Sequence, residues 1–395
     1  MSDTYFGSDR TRRIQREQVQ SRWMRAYEPI RHLDPILVAT ALVLTGIGIA
    51  MIFSATTTRV GETGAPDLSF VLRQLVAFGV GIVAMIITAV LDYRWIRALA
   101  PILYGGSIIL LVAVLHPAVG TLVNGSRRWI NIGGFSLQPS ELAKIAVIVA
   151  VAALLHERRG EPTMRTLLAC LALAAVPAGL IFLEPDLGSA IVIVWLLFVM
   201  FLVGGIPFRW LAGLAVGGIG AVVYAFVGGF IESYQLERLT AFLDQGNVGE
   251  AGGALYQLNQ SMIAIGSGQL AGQGYRQGTQ NAAAFIPENH TDFIFTIVGE
   301  EFGFVGSLVI LGLFVILIWR GVRIAMMSRD LFGTIVSSAI VGLLGLQVFV
   351  NVGMTIGIAP ITGIPLPFVS YGGTSLIMWF ALVGLLLNIH MRRFS

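Results

Sequence analysis

Long apolar runs recur along this chain and constrain its fold more than any other feature. A helix that crosses a bilayer needs about 20 consecutive apolar residues. Hydrophobic residues make up 56% of the sequence, charged residues 12%, and the mean hydropathy is +0.81. These values predict an all-α, polytopic membrane protein with about ten transmembrane helices. The predicted spans are 33–54, 69–91, 96–116, 140–156, 166–183, 187–206, 209–229, 292–319, 331–357 and 370–390.

Arginine placement predicts the orientation of these spans, because cytoplasmic loops carry an excess of basic residues. Most of the 25 Lys and Arg residues fall in the N-terminal tail and in alternate loops. We therefore expect both termini to be cytoplasmic, and the net charge of +3 to reflect topology and lipid contact, not nucleic acid. The predicted regions are a basic tail (1–32), a membrane domain (33–391) and a cytoplasmic C-terminus (392–395).

Three loops on the opposite, outward side are long or rich in motifs: 117–139, 230–291 and 358–370. The second is a large extracytoplasmic loop before the eighth helix. Loops of that length are typically functional or disordered. Its glycine series from Gly266 to Gly274 lacks the spacing of a dinucleotide-binding motif and indicates a turn-rich, re-entrant or interfacial segment.

The run Phe-Ile-Pro-Glu-Asn-His-Thr-Asp-Phe-Ile-Phe, residues 285–295, places a carboxylate, Asp292, at the edge of the eighth span. Ionisable side chains at membrane depth cost roughly 2.5–3.5 kcal/mol each on insertion scales and usually mark function. His290 is expected to orient its neighbours by hydrogen bonding. The sequence does not supply a convincing set of metal ligands at suitable spacing.

Two further groups of charged residues lie near the outward side. Glu141 and Lys144, the only lysine in the sequence, are three residues apart and share one helical face. They form either an ion pair that merely tolerates burial or a cationic anchor held by its acid. The short turn Glu184-Pro185-Asp186 is either an ordinary polar turn or part of the same polar cavity.

Two acids follow Asp292 within the eighth span. At 100° and 1.5 Å per residue, Glu300 would share the face of Asp292 roughly 12 Å deeper, whereas Glu301 would face another helix. A single acid with a nearby cation suits a general base that deprotonates a hydroxyl. A diphosphate leaving group needs positive charge and no second acid, so a transferase that uses a lipid-diphosphate sugar is one option among several.

Six segments, in this order, resemble the SEDS family of bacterial cell-wall proteins (shape, elongation, division and sporulation). Within this family, the segment 275–280 resembles the RodA-like branch most. The matching segments are Asn124-Gly-Ser-Arg-Arg-Trp-Ile, Gln138-Pro-Ser-Glu-Leu-Ala-Lys, Glu184-Pro-Asp-Leu-Gly-Ser-Ala, Ile265-Gly-Ser-Gly, Pro287-Glu-Asn-His-Thr-Asp-Phe-Ile-Phe, and Pro365-Leu-Pro-Phe-Val-Ser-Tyr-Gly-Gly-Thr-Ser.

The resemblance implies a peptidoglycan glycosyltransferase of the bacterial inner membrane that polymerises lipid II for cell elongation and rod shape. Asp292 would be the general base and undecaprenyl diphosphate the leaving group. A class B penicillin-binding protein and other elongation-complex membrane proteins would be partners, and assistance by a divalent cation is left open. The residues expected at the substrate are Arg127, Arg128, Trp129, Glu141, Lys144, Asp186, His290, Glu300 and Ser370.

Several alternatives remain at this level. Buried charges and broken helices also describe a lipid II flippase or transporter, and a division polymerase of the FtsW type or an inactive scaffold would share the same motifs. Trp129 stacks on a sugar or anchors at the interface. The run from Pro365 to Ser375 is a structural hinge or, through Ser370, a ligand contact. Asn351 is expected to form an interhelical hydrogen bond.

Overall fold

The computed structural model describes residues 33–57, 68–123, 126–158, 162–228, 238, 242, 253–283, 285–286 and 289–393. The basic tail, residues 394–395 and much of the loop 230–291 therefore lie outside the described residues. The membrane helices before the long loop are α1 (Pro35–Thr57), α2 (Ser69–Val90), α4 (Ala100–Leu115), α5 (Pro139–Glu157), α6 (Met164–Leu183), α7 (Leu187–Val203) and α8 (Phe208–Val227), with a short α3 (Tyr93–Ala98). The later helices are α9 (Ala254–Ser267), α10 (Thr279–Ala282), α11 (Ile294–Met326), α12 (Leu331–Thr355) and α13 (Gly373–Met391).

The helices confirm the predicted polytopic, all-α membrane fold. Seven described helices have the length and apolar composition to cross a bilayer. Three shorter apolar segments occupy the other predicted positions: α4, α7 and residues Phe208–Gly220 of α8. Local sequence signals start several of them. Pro139 begins α5, where its missing N–H costs no hydrogen bond, and Asp186 and Asp330 cap the N-termini of α7 and α12 through their side chains.

Helices α5 and α13 form the centre of the bundle, since 83% of each membrane segment is buried. Helix α13 packs closely on α2, where Thr88 Oγ1 donates to the Ala381 carbonyl at 2.9 Å. A Cβ on Gly384 would overlap the Met85 carbonyl, so glycine permits this approach of two backbones. Only 22% of the α2 segment is buried, and its valines and isoleucines face outward, as lipid contact requires.

The loop 117–139 folds into a small antiparallel sheet that the sequence analysis did not predict. Its strands are β1 (Gly120–Val123), β2 (Ser126–Ile132) and β3 (Phe135–Leu137), in the order β1-β2-β3. Thr374 at the start of α13 ties the sheet to the bundle: its Oγ1 donates to Ser136 O at 2.9 Å and accepts from Gln138 N at 3.1 Å. The sheet therefore covers the end of the bundle next to the N-terminus of α5.

The glycine-rich segment after α9 fills a break in α11. Gly303 has φ 65° and ψ −158°, which interrupts the helix. The N–H groups of Gln273 and Gly274 donate at 3.0 Å to the carbonyls of Glu300 and Glu301, which the break leaves without helical partners. A turn-rich segment was predicted here, and the structure shows that its turns complete the hydrogen bonding of a broken membrane helix.

Candidate active site

Asp292 lies in a turn immediately before α11, which begins at Ile294. The sequence analysis made Asp292 the first residue of the eighth span and used helical geometry to put Glu300 on the same face. That geometry was wrong, because Asp292 precedes the first helical residue and its direction is set by the turn. The side chain is partly exposed, whereas the residues that follow it, from Phe293 to Glu301, are buried.

Three consecutive carbonyl groups hold this turn in place. His290 O accepts from Tyr371 N at 3.0 Å, and Thr291 O accepts from Ser370 Oγ at 2.6 Å. Asp292 O accepts from Asn351 Nδ2 at 2.8 Å, and the same amide also donates to Ile364 O at 2.8 Å. We call these contacts the carbonyl clamp. They fix the backbone from which the carboxylate projects. Asn351 was predicted to form an interhelical hydrogen bond, but both of its acceptors lie outside the helices.

Asp292 opens into a cavity of about 410 Å³, a volume typical of small-molecule sites. The cavity is enclosed by the sheet, the N-termini of α5 and α7, the turn before α11 and the segment 363–375. Three basic and three acidic side chains line it, which balances charge within one polar chamber. They are Arg73, Arg128, Lys144, Glu141, Asp186 and Asp292.

Glu141 and Lys144 form a buried ion pair in the wall of this cavity. Lys144 Nζ lies 2.6 Å from Glu141 Oε1, and the two side chains are only 2% and 3% exposed. Glu141 Oε2 has no hydrogen-bond partner. Lys144 is therefore both paired with its acid and part of the cavity wall.

The 184–186 turn also belongs to the cavity, because Arg128 binds its backbone. Arg128 Nε donates to Glu184 O at 3.0 Å, and its Nη2 donates to Pro185 O. Asp186 lines the cavity while its Oδ1 accepts from Ser189 N at 3.2 Å. Glu184 is buried with both carboxyl oxygens unpartnered, and burial, reinforced by Asp186 and opposed by Arg128, raises its pKa to about 8.

The structure brings six of the ten predicted site residues together around this cavity. Asp292, Arg128, Trp129, Glu141, Lys144 and Asp186 line it. Arg127, His290 and Ser370 are not among its lining residues. The imidazole of His290 packs edge-on against Phe70, with ring centroids 4.9 Å apart, and Ser370 supports the Asp292 turn.

Glu300 also lies outside the cavity, contrary to the prediction that it shapes the same chamber. Its carboxylate accepts from Gln280 N at 2.7 Å and from Asn281 N at 3.2 Å, at the N-terminal turn of α10. Glu301 faces another helix, as predicted, and accepts a hydrogen bond from Ser54 of α1. Glu300 therefore fastens the outward loop to the bundle, and Glu301 joins α11 to α1.

Sequence reasoning missed two arginines near the carboxylate. Arg73 of α2 lines the cavity. A Cβ built on Gly363 would lie 3.2 Å from Asp292 Oδ2 and 3.8 Å from Arg238 Nη1, so both side chains end against the same glycine. Arg238 comes from the long outward loop, where no local pattern distinguished it. The Arg238 guanidinium and the Asp292 carboxylate therefore both lie next to Gly363.

Within the described part of the chain, no group of three or more His, Cys, Asp or Glu side chains could hold a metal ion. The acids of the cavity are instead engaged separately, Glu141 with Lys144 and Asp186 with the start of α7.

These features define a multi-pass membrane protein with a polar chamber that carries an acid and several cations. The chain belongs to the FtsW/RodA/SpoVE family, whose model, described as a cell cycle protein, matches residues 35–394. It is 38% identical over 363 residues to the peptidoglycan glycosyltransferase MrdB of Escherichia coli K12, covering 92% of this chain and 94% of MrdB. It is equally 38% identical over 359 residues to stage V sporulation protein E of Bacillus subtilis 168, covering 90% and 96%.

Solved structures show the same fold. A chain described in work on polymerization and crosslinking by a peptidoglycan synthase complex aligns with a TM-score of 0.76 at 32% identity, covering 92% of this chain and 99% of that one. The rod shape determining protein RodA of Thermus thermophilus aligns with a TM-score of 0.67 at 32% identity, covering 92% and 98%.

Proposed function

We propose that this chain is a peptidoglycan glycosyltransferase that polymerises lipid II into glycan strands. The reaction takes place at the outer face of the bacterial inner membrane, and both termini lie in the cytoplasm. One observation carries the proposal: Asp292, fixed by the carbonyl clamp, opens into a chamber that also contains Arg73, Arg128 and Lys144. The names of the relatives as peptidoglycan glycosyltransferases support the same reaction class.

In the proposed reaction, Asp292 accepts the proton of the acceptor GlcNAc 4-hydroxyl. The resulting oxygen nucleophile attacks the anomeric carbon of the donor MurNAc. The new glycosidic C–O bond forms as the bond to undecaprenyl diphosphate breaks, with inversion at the anomeric carbon. The proton remains on Asp292 until solvent removes it, and the electron pair leaves on the diphosphate. A single carboxylate therefore suffices, since this leaving group needs no general acid.

The basic residues of the chamber stabilise the charge that develops on the leaving diphosphate. Guanidinium groups bind phosphate oxygens in paired hydrogen bonds, and an ammonium acts as a point charge. Glu141 holds Lys144 Nζ in position with its Oε1, at 2.6 Å. Arg238, which ends against the same glycine as Asp292, adds a further guanidinium group next to the reacting carboxylate.

We further propose that the enzyme acts in cell elongation and rod shape with a class B penicillin-binding protein. The fold likeness to a chain from a peptidoglycan synthase complex supports such a partner. The segment 275–280 favours the RodA branch over the FtsW branch, although relatives named for either branch are similarly identical to this chain. In the structure this segment leads into α10, which Glu300 fastens to the bundle.

The decisive experiment compares Asp292→Asn with a control acid variant in liposomes that contain lipid II and the partner protein. Asparagine keeps the shape of the side chain but accepts no proton, so polymerisation should fall at least about a hundredfold. Glu157→Gln, at the exposed far end of α5, should polymerise at the wild-type rate. Gel separation of labelled glycan strands measures both.

Normal polymerisation by Asp292→Asn would contradict the role of Asp292. A lipid II flippase predicts a different outcome, in which wild-type protein moves labelled lipid II across the bilayer and forms no polymer with the partner present. That result would replace the transferase proposal by the transport alternative.

A further inference from the structure

A second polar pocket lies at the face of the membrane domain opposite the active site. It has a volume of about 380 Å³ and is lined by Tyr93, Arg94, Arg97, His156, Arg329 and Asp330, which we call the arginine pocket. Helices α5 and α12 connect the two sites. The start of α5 carries Glu141 at the catalytic chamber and its end carries His156, while α12 starts beside Asp330 and ends near the carbonyl clamp.

The only acid in this lining is already engaged by protein groups. Asp330 Oδ1 accepts from Gly333 N at 2.9 Å, which caps α12. Its Oδ2 accepts from the Tyr93 hydroxyl at 3.3 Å and lies 4.0 Å from Arg97 Nη1. Burial, followed by the charge of Asp330, raises the pKa of Tyr93, so its hydroxyl stays a donor.

The other two arginines have no such partner. Arg94 and Arg329 are exposed, and neither forms an ion pair with a carboxylate anywhere in the described part of the chain. Three guanidinium groups against one carboxylate give the pocket a net charge of +2 with His156 neutral. An anion that enters would therefore meet two uncommitted guanidinium groups.

A buried phenyl ring keeps the pocket walls in place. Phe332 is fully buried, and the ring of Tyr93 stacks on it with centroids 6.0 Å apart. The guanidinium carbon of Arg97 lies 5.8 Å from the same ring, within cation–π range. The His156 ring meets it edge-on at 6.4 Å. Phe332 thus supports Tyr93, Arg97 and His156, which form a fixed wall of the pocket beside the exposed Arg94 and Arg329.

The pocket lies where membrane helices end and are connected to one another. Trp95, 67% exposed, projects from α3 beside it. Exposed tryptophans favour the membrane–water interface. Basic pockets between membrane helices at this depth bind the phosphates of anionic lipids.

We propose that the arginine pocket binds a phosphate group, presented by the headgroup of an anionic phospholipid. Arg94 and Arg329 pair with the phosphate oxygens, and Arg97 contributes positive charge while it stays held by Asp330. Helices α5 and α12, which border this pocket at one end, carry residues of the catalytic chamber at their other ends. The site is independent of the proposed reaction, because it needs no catalytic residue.

The test measures lipid binding to the full-length detergent-purified protein by native mass spectrometry. Phosphatidylglycerol is titrated against phosphatidylcholine, and glycerol phosphate is added as a soluble competitor. The pocket variant is Arg94→Gln with Arg329→Gln. The control, Arg165→Gln with Arg323→Gln, removes the same charge from exposed positions on the same face but outside the pocket.

We expect wild type to prefer phosphatidylglycerol, and the pocket variant to bind it roughly twenty-fivefold more weakly, since each arginine near an anionic headgroup contributes about a factor of five. The control should retain most of the wild-type affinity. Equal losses in both variants, or no preference of wild type for the anionic lipid, would overturn the site. Displacement of the lipid by glycerol phosphate at a comparable concentration would support a phosphate-binding pocket. It would overturn the claim that a lipid headgroup presents that phosphate.

Discussion

Asn351 offers the sharpest test of how the active-site turn is held. Its side-chain amide donates to the carbonyls of Asp292 and Ile364, both at 2.8 Å. Asn351→Ala leaves these two carbonyls without their donor in a buried setting. Each orphaned group costs about 1–3 kcal/mol, so the variant should lose roughly 2–6 kcal/mol of stability. The freed turn should also lose the orientation of the Asp292 carboxylate.

The fold supplies a matched control for the stability loss. Asn388 of α13 is equally buried, and its amide donates to two backbone carbonyls, those of Thr88 and Leu91, at the opposite end of the bundle. Asn388→Ala should therefore lower the melting temperature by a similar amount. It does not touch the turn that carries Asp292, so folded protein should remain active.

The assay measures lipid II polymerisation well below the melting temperatures of both variants. We expect Asn351→Ala to polymerise at least about tenfold more slowly than Asn388→Ala, because small displacements of a reacting group cost rate steeply. Binding of lipid II should change little. Equal activities in the two variants would refute the reasoning that Asn351 positions Asp292.

Three further predictions concern the supports of the site. The raised pKa of Glu184 means that the folded state keeps a proton between about pH 4.5 and 8 that the unfolded chain releases. The melting temperature should therefore fall as the pH rises through that window, and Glu184→Gln should make the decline shallower. Lys144→Met should leave Glu141 buried without its partner and lower stability by about 3–5 kcal/mol, whereas adding Glu141→Gln should restore stability without restoring polymerisation. Gly268→Ala should destabilise strongly, because its Cβ would overlap the α11 backbone, while Gly266→Ala meets nothing within 4 Å and should melt like wild type. Thermal denaturation measures the stability of each variant. An unchanged melting temperature for Gly268→Ala would contradict the close packing.

The membrane helices were predictable because the length of each apolar run can be read from the sequence and compared with the length that a bilayer requires. The α5 start was equally readable, since Pro139, Glu141 and Lys144 lie within one local stretch. The sheet of 120–137 was not, because its register depends on pairing between strands and on Thr374 far along the chain.

The same distinction explains the errors around Asp292. Its turn is set by contacts from Asn351 and Ser370, which no local periodicity contains, so helical extrapolation gave Glu300 the wrong surroundings. Arg73 and Arg238 were missed because arginines are common near the ends of membrane helices. Only the folded structure shows that Arg73 lines the cavity and that Arg238 ends beside Gly363.

The carbonyl clamp has a consequence for biogenesis. A membrane protein is made and inserted from its N-terminus, and the groups that hold residues 290–292 follow them in the chain, at Asn351, Ser370 and Tyr371. When α11 enters the bilayer, its acid is already present but its supporting donors have not yet been synthesised. The nascent chain therefore acquires an ordered Asp292 carboxylate only after α12 and the segment preceding α13 have emerged, which ties completion of this site to the near-completion of the bundle.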